Sequence, residues 1–91
     1  MKICVKVKVF SQAIPDQVEL ELEEGSSIET LHRRLKEKLS QEGTTPKLNF
    51  LSNTGSLIIL LNGMSIYSLS GWETIVREGD EVSFLPMVAG G

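Results

Sequence analysis

Hydrophobic and polar residues alternate from the second position of the chain. Between Lys2 and Phe10, Ile3, Val5, Val7 and Val9 fall on one side and Cys4, Lys6, Lys8 and Phe10 on the other, the period-two pattern of a half-buried strand. A loop over 11–16 with Pro15 interrupts it, and alternation returns from Gln17 to Glu23, with Val18, Leu20 and Leu22 inward and Glu19, Glu21 and Glu23 outward. The two segments predict an antiparallel hairpin. On its outer face Lys6 and Lys8 are expected near Glu19 and Glu21.

The period then changes. Ser26, followed three residues on by Glu29, has the form of a capping box and predicts a helix of about 16 residues. Ile28, Leu31, Leu35 and Leu39 make its apolar stripe, Arg33, Arg34, Lys36, Glu37 and Lys38 lie off it, and Gly43 supplies the stop. Residues 43–56 are expected to be a loop with a short piece of structure near Leu48 to Leu51. The continuous apolar run Leu57 to Leu61 predicts a strand, Asn62-Gly63 a tight turn, and Met64 to Tyr67 a short return strand. After an irregular stretch holding Leu69 and Trp72 and a turn at Glu78-Gly79-Asp80, the last strand is expected from Glu81 to Pro86. Its Val82 and Phe84 face one way and Ser83 and Leu85 the other.

This order predicts an α+β domain in which one main helix covers one face of a mixed sheet of about five strands. The first and last strands are expected side by side and parallel at its centre. The domain is expected to span residues 1–86, leaving 87–91 as an extended, flexible tail.

Composition narrows the chemistry. Ninety-one residues suit a single small domain with little room for a deep internal active site. With one Cys and one His, neither a disulfide framework nor a Cys/His metal cluster can be drawn, and no metal site is expected. The longest apolar run is far short of the roughly 20 residues of a membrane span, and the N-terminus does not read as a signal peptide, so a cytoplasmic protein without a membrane partner is expected. A net charge of −3 and a pI near 5.1 argue against nucleic acid as a partner. The acidic surplus lies in the C-terminal half, at Glu73, Glu78, Asp80 and Glu81.

Within the domain nothing reads as catalytic. His32 has no nucleophile or carboxylate at a spacing that would make it a base. Cys4 lies on a strand, without the helix N-terminus or paired imidazole that would activate a thiol. Glu78, Asp80 and Glu81 read as a solvated turn, and Trp72 as a packing residue. The chain end is chemically distinct. Side-chain bulk falls from Met87 through Val88 and Ala89 to Gly90 and Gly91, which suits passage through a narrow tunnel. The group delivered is the α-carboxylate of Gly91, ionised at neutral pH and a poor electrophile until another enzyme activates it, most economically as a mixed anhydride with AMP.

The segment from Glu78 to Gly91, with Leu61-Asn62-Gly63 upstream, resembles the small subunit of molybdopterin synthase and the related MoaD/ThiS-type sulfur carriers, although Leu85-Pro86-Met87 stands where Phe-Pro-Pro is usual. The resemblance implies the ubiquitin-like β-grasp fold. It also implies a chain that is not catalytic by itself and binds no cofactor. Its Gly91 carboxylate would be adenylated by a ubiquitin-activating-type enzyme that uses ATP, and a sulfur donor would convert it to a thiocarboxylate. In the molybdopterin branch the synthase large subunit would take in Met87, Val88, Ala89 and Gly90. The alternatives are a carrier for thiazole or cysteine synthesis, or a ubiquitin-like modifier conjugated through Gly91. For partner docking, Phe10 and Leu85 are expected on the outer face at the tail end of the sheet, with Phe84, Pro86 and Met64, and Ile66 beside it, extending the surface.

Overall fold

The computed structural model describes residues 1–10, 16–43 and 45–86, the side chains of 45–48 excepted. Its elements follow the chain as β1 (Lys2–Val9), β2 (Asp16–Glu23), α1 (Ile28–Glu42), α2 (Thr45–Ser52), β3 (Leu57–Leu61), β4 (Met64–Ser65) and β5 (Glu81–Pro86). Short 3-10 turns occupy Thr54–Ser56, Ile66–Ser68 and Gly71–Glu73. The strands form one mixed sheet in the order β2-β1-β5-β3-β4, with β1 and β5 parallel at its centre and the other pairs antiparallel. With one main helix across a face of this sheet, the architecture is the β-grasp.

The core follows the alternation. Ile3, Val5, Val7 and Val9 of β1, Leu20 and Leu22 of β2, Leu57, Ile59 and Leu61 of β3, and Val82 and Phe84 of β5 are buried on one face. The helix stripe Ile28, Leu31, Leu35 and Leu39 closes over them. Phe84 is fully enclosed at the centre. Truncating it to Ala would cost about 3–5 kcal/mol, the transfer free energy of the ring plus the cavity left behind.

Several local details differ from the sequence reading. The helix is capped by Ser27, whose Oγ accepts from the Thr30 N–H at 3.3 Å. Ser26 Oγ instead donates to the Glu23 carbonyl, closing the preceding turn at 2.7 Å. At the other end Gly43 takes a left-handed φ of 75° and its N–H returns to the carbonyls of Leu39 and Ser40. Residues 45–52 are a full helix rather than a loop, and β4 is two residues long before the chain coils into a 3-10 turn. On the outer face Lys6 stands opposite Glu19, while Lys8 reaches over to Glu81 of β5 at 3.4 Å and Lys2 pairs with Glu23 at 3.3 Å.

Asn62 and Gly63 turn the β3–β4 hairpin with φ of 51° and 84°, the double positive φ that this pair supplies most readily. The same Asn62 fastens the start of β5. Its Oδ1 accepts from the Glu81 N–H at 2.9 Å, its Nδ2 donates to Asp80 Oδ1 at 3.1 Å, and its own N–H donates to the Glu81 carbonyl at 2.7 Å. Asp80 Oδ2 also accepts from the Arg77 N–H at 2.8 Å. The strand that leads to the tail is thus fixed at the end where it begins.

Candidate functional site

The direction of β5 sets the geometry. It starts at the Asn62–Asp80 network, runs beside β1, and hands the chain on after Pro86 at the opposite end of the sheet. Phe10 follows β1 at that end and donates its N–H to the Phe84 carbonyl at 2.9 Å, extending the parallel ladder by one rung. Phe10 therefore lies beside Leu85, and Leu85 is paired with Ile58 of β3. These three side chains share the face of the sheet turned away from α1.

The next row on that face runs from Lys8 through Ser83 to Leu60 and Ser65. Phe10, Ile58, Leu60 and Leu85 are all half-buried and lie on the face opposite the core side chains that α1 covers. The result is an apolar patch at the exit of β5, bordered by the Lys8–Glu81 ion pair. Ile58 and Leu60 were not singled out by sequence reasoning. Their signal was present in the uninterrupted run Leu57 to Leu61, because a strand apolar on both faces in a sheet with one helical layer leaves its second face for another molecule.

Three residues expected in the docking surface lie elsewhere. Phe84 is fully buried, and its ring stands 6.0 Å from that of His32, because alternation along β5 sends it into the core when Leu85 faces outward. Met64 is exposed, but it pairs with Leu61, which pairs with Val82, and Pro86 is four rungs further along. At about 3.4 Å per residue this puts Met64 about 14 Å from the exit along the strand direction alone. Ile66 is buried. Pro86 is exposed and ends β5 as expected. Met87, Val88, Ala89, Gly90 and Gly91 lie outside the described residues.

The acidic turn also sits at the far end of the sheet. Asp80 serves the network around Asn62, and Glu78 Oε1 accepts from the Cys4 N–H at 3.0 Å. No cluster of His, Cys, Asp or Glu among the described residues could hold a metal ion.

Neither single-copy nucleophile or base is poised for chemistry. Cys4 Sγ donates to Glu19 Oε2 at 3.2 Å. That hydrogen bond, followed by desolvation and the charges of Glu19, Glu78 and Glu21, raises the thiol pKa and opposes the thiolate. His32 is buried on α1, with Nε2 2.8 Å from the Leu51 carbonyl and its ring edge-on to Trp72 at 5.1 Å. Burial lowers its pKa, the Leu51 carbonyl opposes that shift, and Lys36 adds to it. His32 joins α1 to α2 and packs the Gly71–Glu73 turn; it is structural.

A cleft of about 470 Å³ opens at the end of the sheet remote from the β5 exit, among Met1, Ile3, Gly25, Ile75 and Val76. It is mainly apolar and contains no nucleophile paired with a base. No helix among the described residues is long and apolar enough to cross a membrane.

Comparison with solved structures agrees with this architecture. The HVO 2177 protein of Haloferax volcanii is 22% identical with a TM-score of 0.67, over 99% of this chain and 88% of that one. A putative molybdopterin converting factor, subunit 1, from Pyrococcus furiosus is 22% identical with a TM-score of 0.66, over 94% and 99%. The small archaeal modifier protein 1 from Methanosarcina acetivorans is 28% identical with a TM-score of 0.60, over 100% and 99%. No curated protein sequence matches the chain. The ThiS family model matches residues 7–91, a span that takes in the end of β1, all of β5, the helical layer and the terminal glycines. The chain belongs to the ThiS family of ubiquitin-like sulfur carriers and modifiers.

Proposed function

We propose that this protein is a sulfur carrier whose reactive group is the C-terminal carboxylate of Gly91, and that it serves as the small subunit of a molybdopterin synthase. In the first step an activating enzyme joins the carboxylate to the α-phosphorus of ATP, forming an acyl adenylate and releasing pyrophosphate. A sulfur donor then displaces AMP, leaving a thiocarboxylate. The synthase large subunit takes Met87 to Gly91 into its active site, and the sulfur passes to a pterin precursor. The observation that carries this reading is the course of β5, which is held between β1 and β3 and leaves the sheet beside Phe10, Ile58 and Leu85. A partner seated on that patch is placed to receive the tail. The ThiS match supports the carrier chemistry, and the similarity to a molybdopterin converting factor supports this branch over thiazole or cysteine synthesis.

A second reading, a modifier joined through Gly91 to lysines of target proteins, is favoured by the similarity to an archaeal modifier protein. Both begin with the same acyl adenylate and diverge at the nucleophile. Intact mass decides between them. With activating enzyme, ATP and sulfide, exchange of one oxygen for sulfur raises the mass by about 16 Da, and one residue appended after Gly91 abolishes the change. Unchanged mass, with extended protein behaving like native, overturns the carrier reading; isopeptide-linked products in cells establish the modifier.

A further inference from the structure

The sheet has an edge at β2, on the far side of β1 from β5. In the order β2-β1-β5-β3-β4, no strand among the described residues pairs with the outer side of β2 along Gln17 to Glu21. Which of its main-chain groups are free follows from the parity of the ladder. Lys6 donates its N–H to the Asp80 carbonyl, Phe10 donates to Phe84, and the Cys4 carbonyl accepts from Gly79, so the even-numbered residues of β1 turn towards β5 and its odd-numbered residues towards β2. The opposed pairs Val5–Leu20 and Val7–Val18 therefore exchange the β1–β2 hydrogen bonds, in phase with the Glu24 N–H on the Met1 carbonyl at 2.8 Å. The N–H and C=O groups of Gln17, Glu19 and Glu21 face outward along the edge. Such a row can pair with another extended chain.

The surroundings of the edge differ on its two sides. Towards α1 a groove of about 270 Å³ runs along Leu20, with Arg34, Glu37, Lys38 and Gln41 of the helix on its far wall. Arg34 is shared with Glu37 at 3.8 Å, whereas Lys38 has no ion-pair partner among the described residues. On the other side of the strand stand the exposed side chains of Glu19, Glu21 and Glu23. A second copy of β2 laid along this edge would set glutamates beside glutamates, so self-pairing is opposed.

We infer that the β2 edge binds an extended segment of a partner protein as a sixth strand. In that segment alternate residues are basic and face the glutamates, and the residues between are acidic or apolar and enter the groove under Arg34 and Lys38. This site lies at the opposite edge of the sheet from β3 and β4. It is built from β2 and α1 and uses neither Ile58 and Leu85 nor the chain end, so the inference does not depend on the sulfur-carrier reading.

The probe is a short acetylated and amidated peptide in which every second residue is lysine and those between alternate valine with glutamate. Titrated into the whole protein and followed by amide NMR, it is expected to bind saturably, with the largest shifts at Gln17, Glu19 and Glu21. N-methylation of alternate peptide nitrogens should abolish binding, since main-chain pairing is the basis of the contact. Because the Glu21 N–H points to the free edge, Glu21→Pro should keep the native spectrum and weaken binding about tenfold or more. Lys38→Glu, a surface change that does not touch the strand, should weaken it about fivefold. Shifts centred on Phe10, Ile58 and Leu85, binding indifferent to N-methylation, absence of saturable binding, or sedimentation showing β2-mediated pairing of two copies overturns the inference.

Discussion

Two side chains of the helical layer show how single residues decide local stability. Ser27 takes the cap because its Oγ reaches the Thr30 N–H, although Ser26 with Glu29 fits the sequence pattern equally well. Adjacent serines are indistinguishable until the turn before them is closed, and the Ser26–Glu23 bond closes it. Ser27→Ala should therefore cost about 1 kcal/mol in urea denaturation. His32 gives a pH signature. Its folded pKa is depressed by burial, so the folded state favours the neutral ring and the unfolded state binds the extra proton. The contribution is complete above the ordinary histidine pKa of about 6.5 and is lost as pH falls below it. Thermal midpoints measured between pH 8 and pH 5 should fall more steeply for the native protein than for His32→Gln. Equal slopes would show that the ring titrates alike in both states.

The elements were legible in proportion to their periodicity. β1, β2, α1, β3 and β5 stand within a residue or two of their expected bounds, because alternation and a 3-4-4 stripe each admit one burial pattern. α2 escaped because eight residues provide barely two turns, too few for a stripe, and Pro46 near its start reads as a breaker though the first helical turn accepts proline. Met64 was misplaced for a topological reason: the sequence reveals the Asn62-Gly63 turn, but only the pairing of β3 with β5 shows which end of the sheet that turn occupies. The alternation of β5 separates two roles in adjacent residues. Phe84→Ala should unfold or strongly destabilise the protein, whereas, under the proposed function, Leu85→Ala, Phe10→Ala and Ile58→Ser should reduce binding of a synthase large subunit more than they lower the thermal midpoint. Parallel losses of affinity and stability in the last three variants would place them in the core instead.

At the scale of the whole molecule the chain begins β1 and leaves β5 at opposite ends of the same parallel pair. A carrier domain fused ahead of Met1, itself 92% exposed, should leave sulfur loading unchanged, and the mass assay on the fusion tests this. The central pair has another consequence. Lys6 and Glu81 are partners across nearly the whole sequence, and without β5 the β1–β2 hairpin and the β3–β4 hairpin share no edge. Contacts of such long separation close late in folding. Until they close, Phe10 has no Leu85 beside it and β5 has no fixed place in the sheet. A partner that demands the patch and the chain end together is therefore checking the fold as well as the sequence, and sulfur would be committed only to molecules that have finished folding.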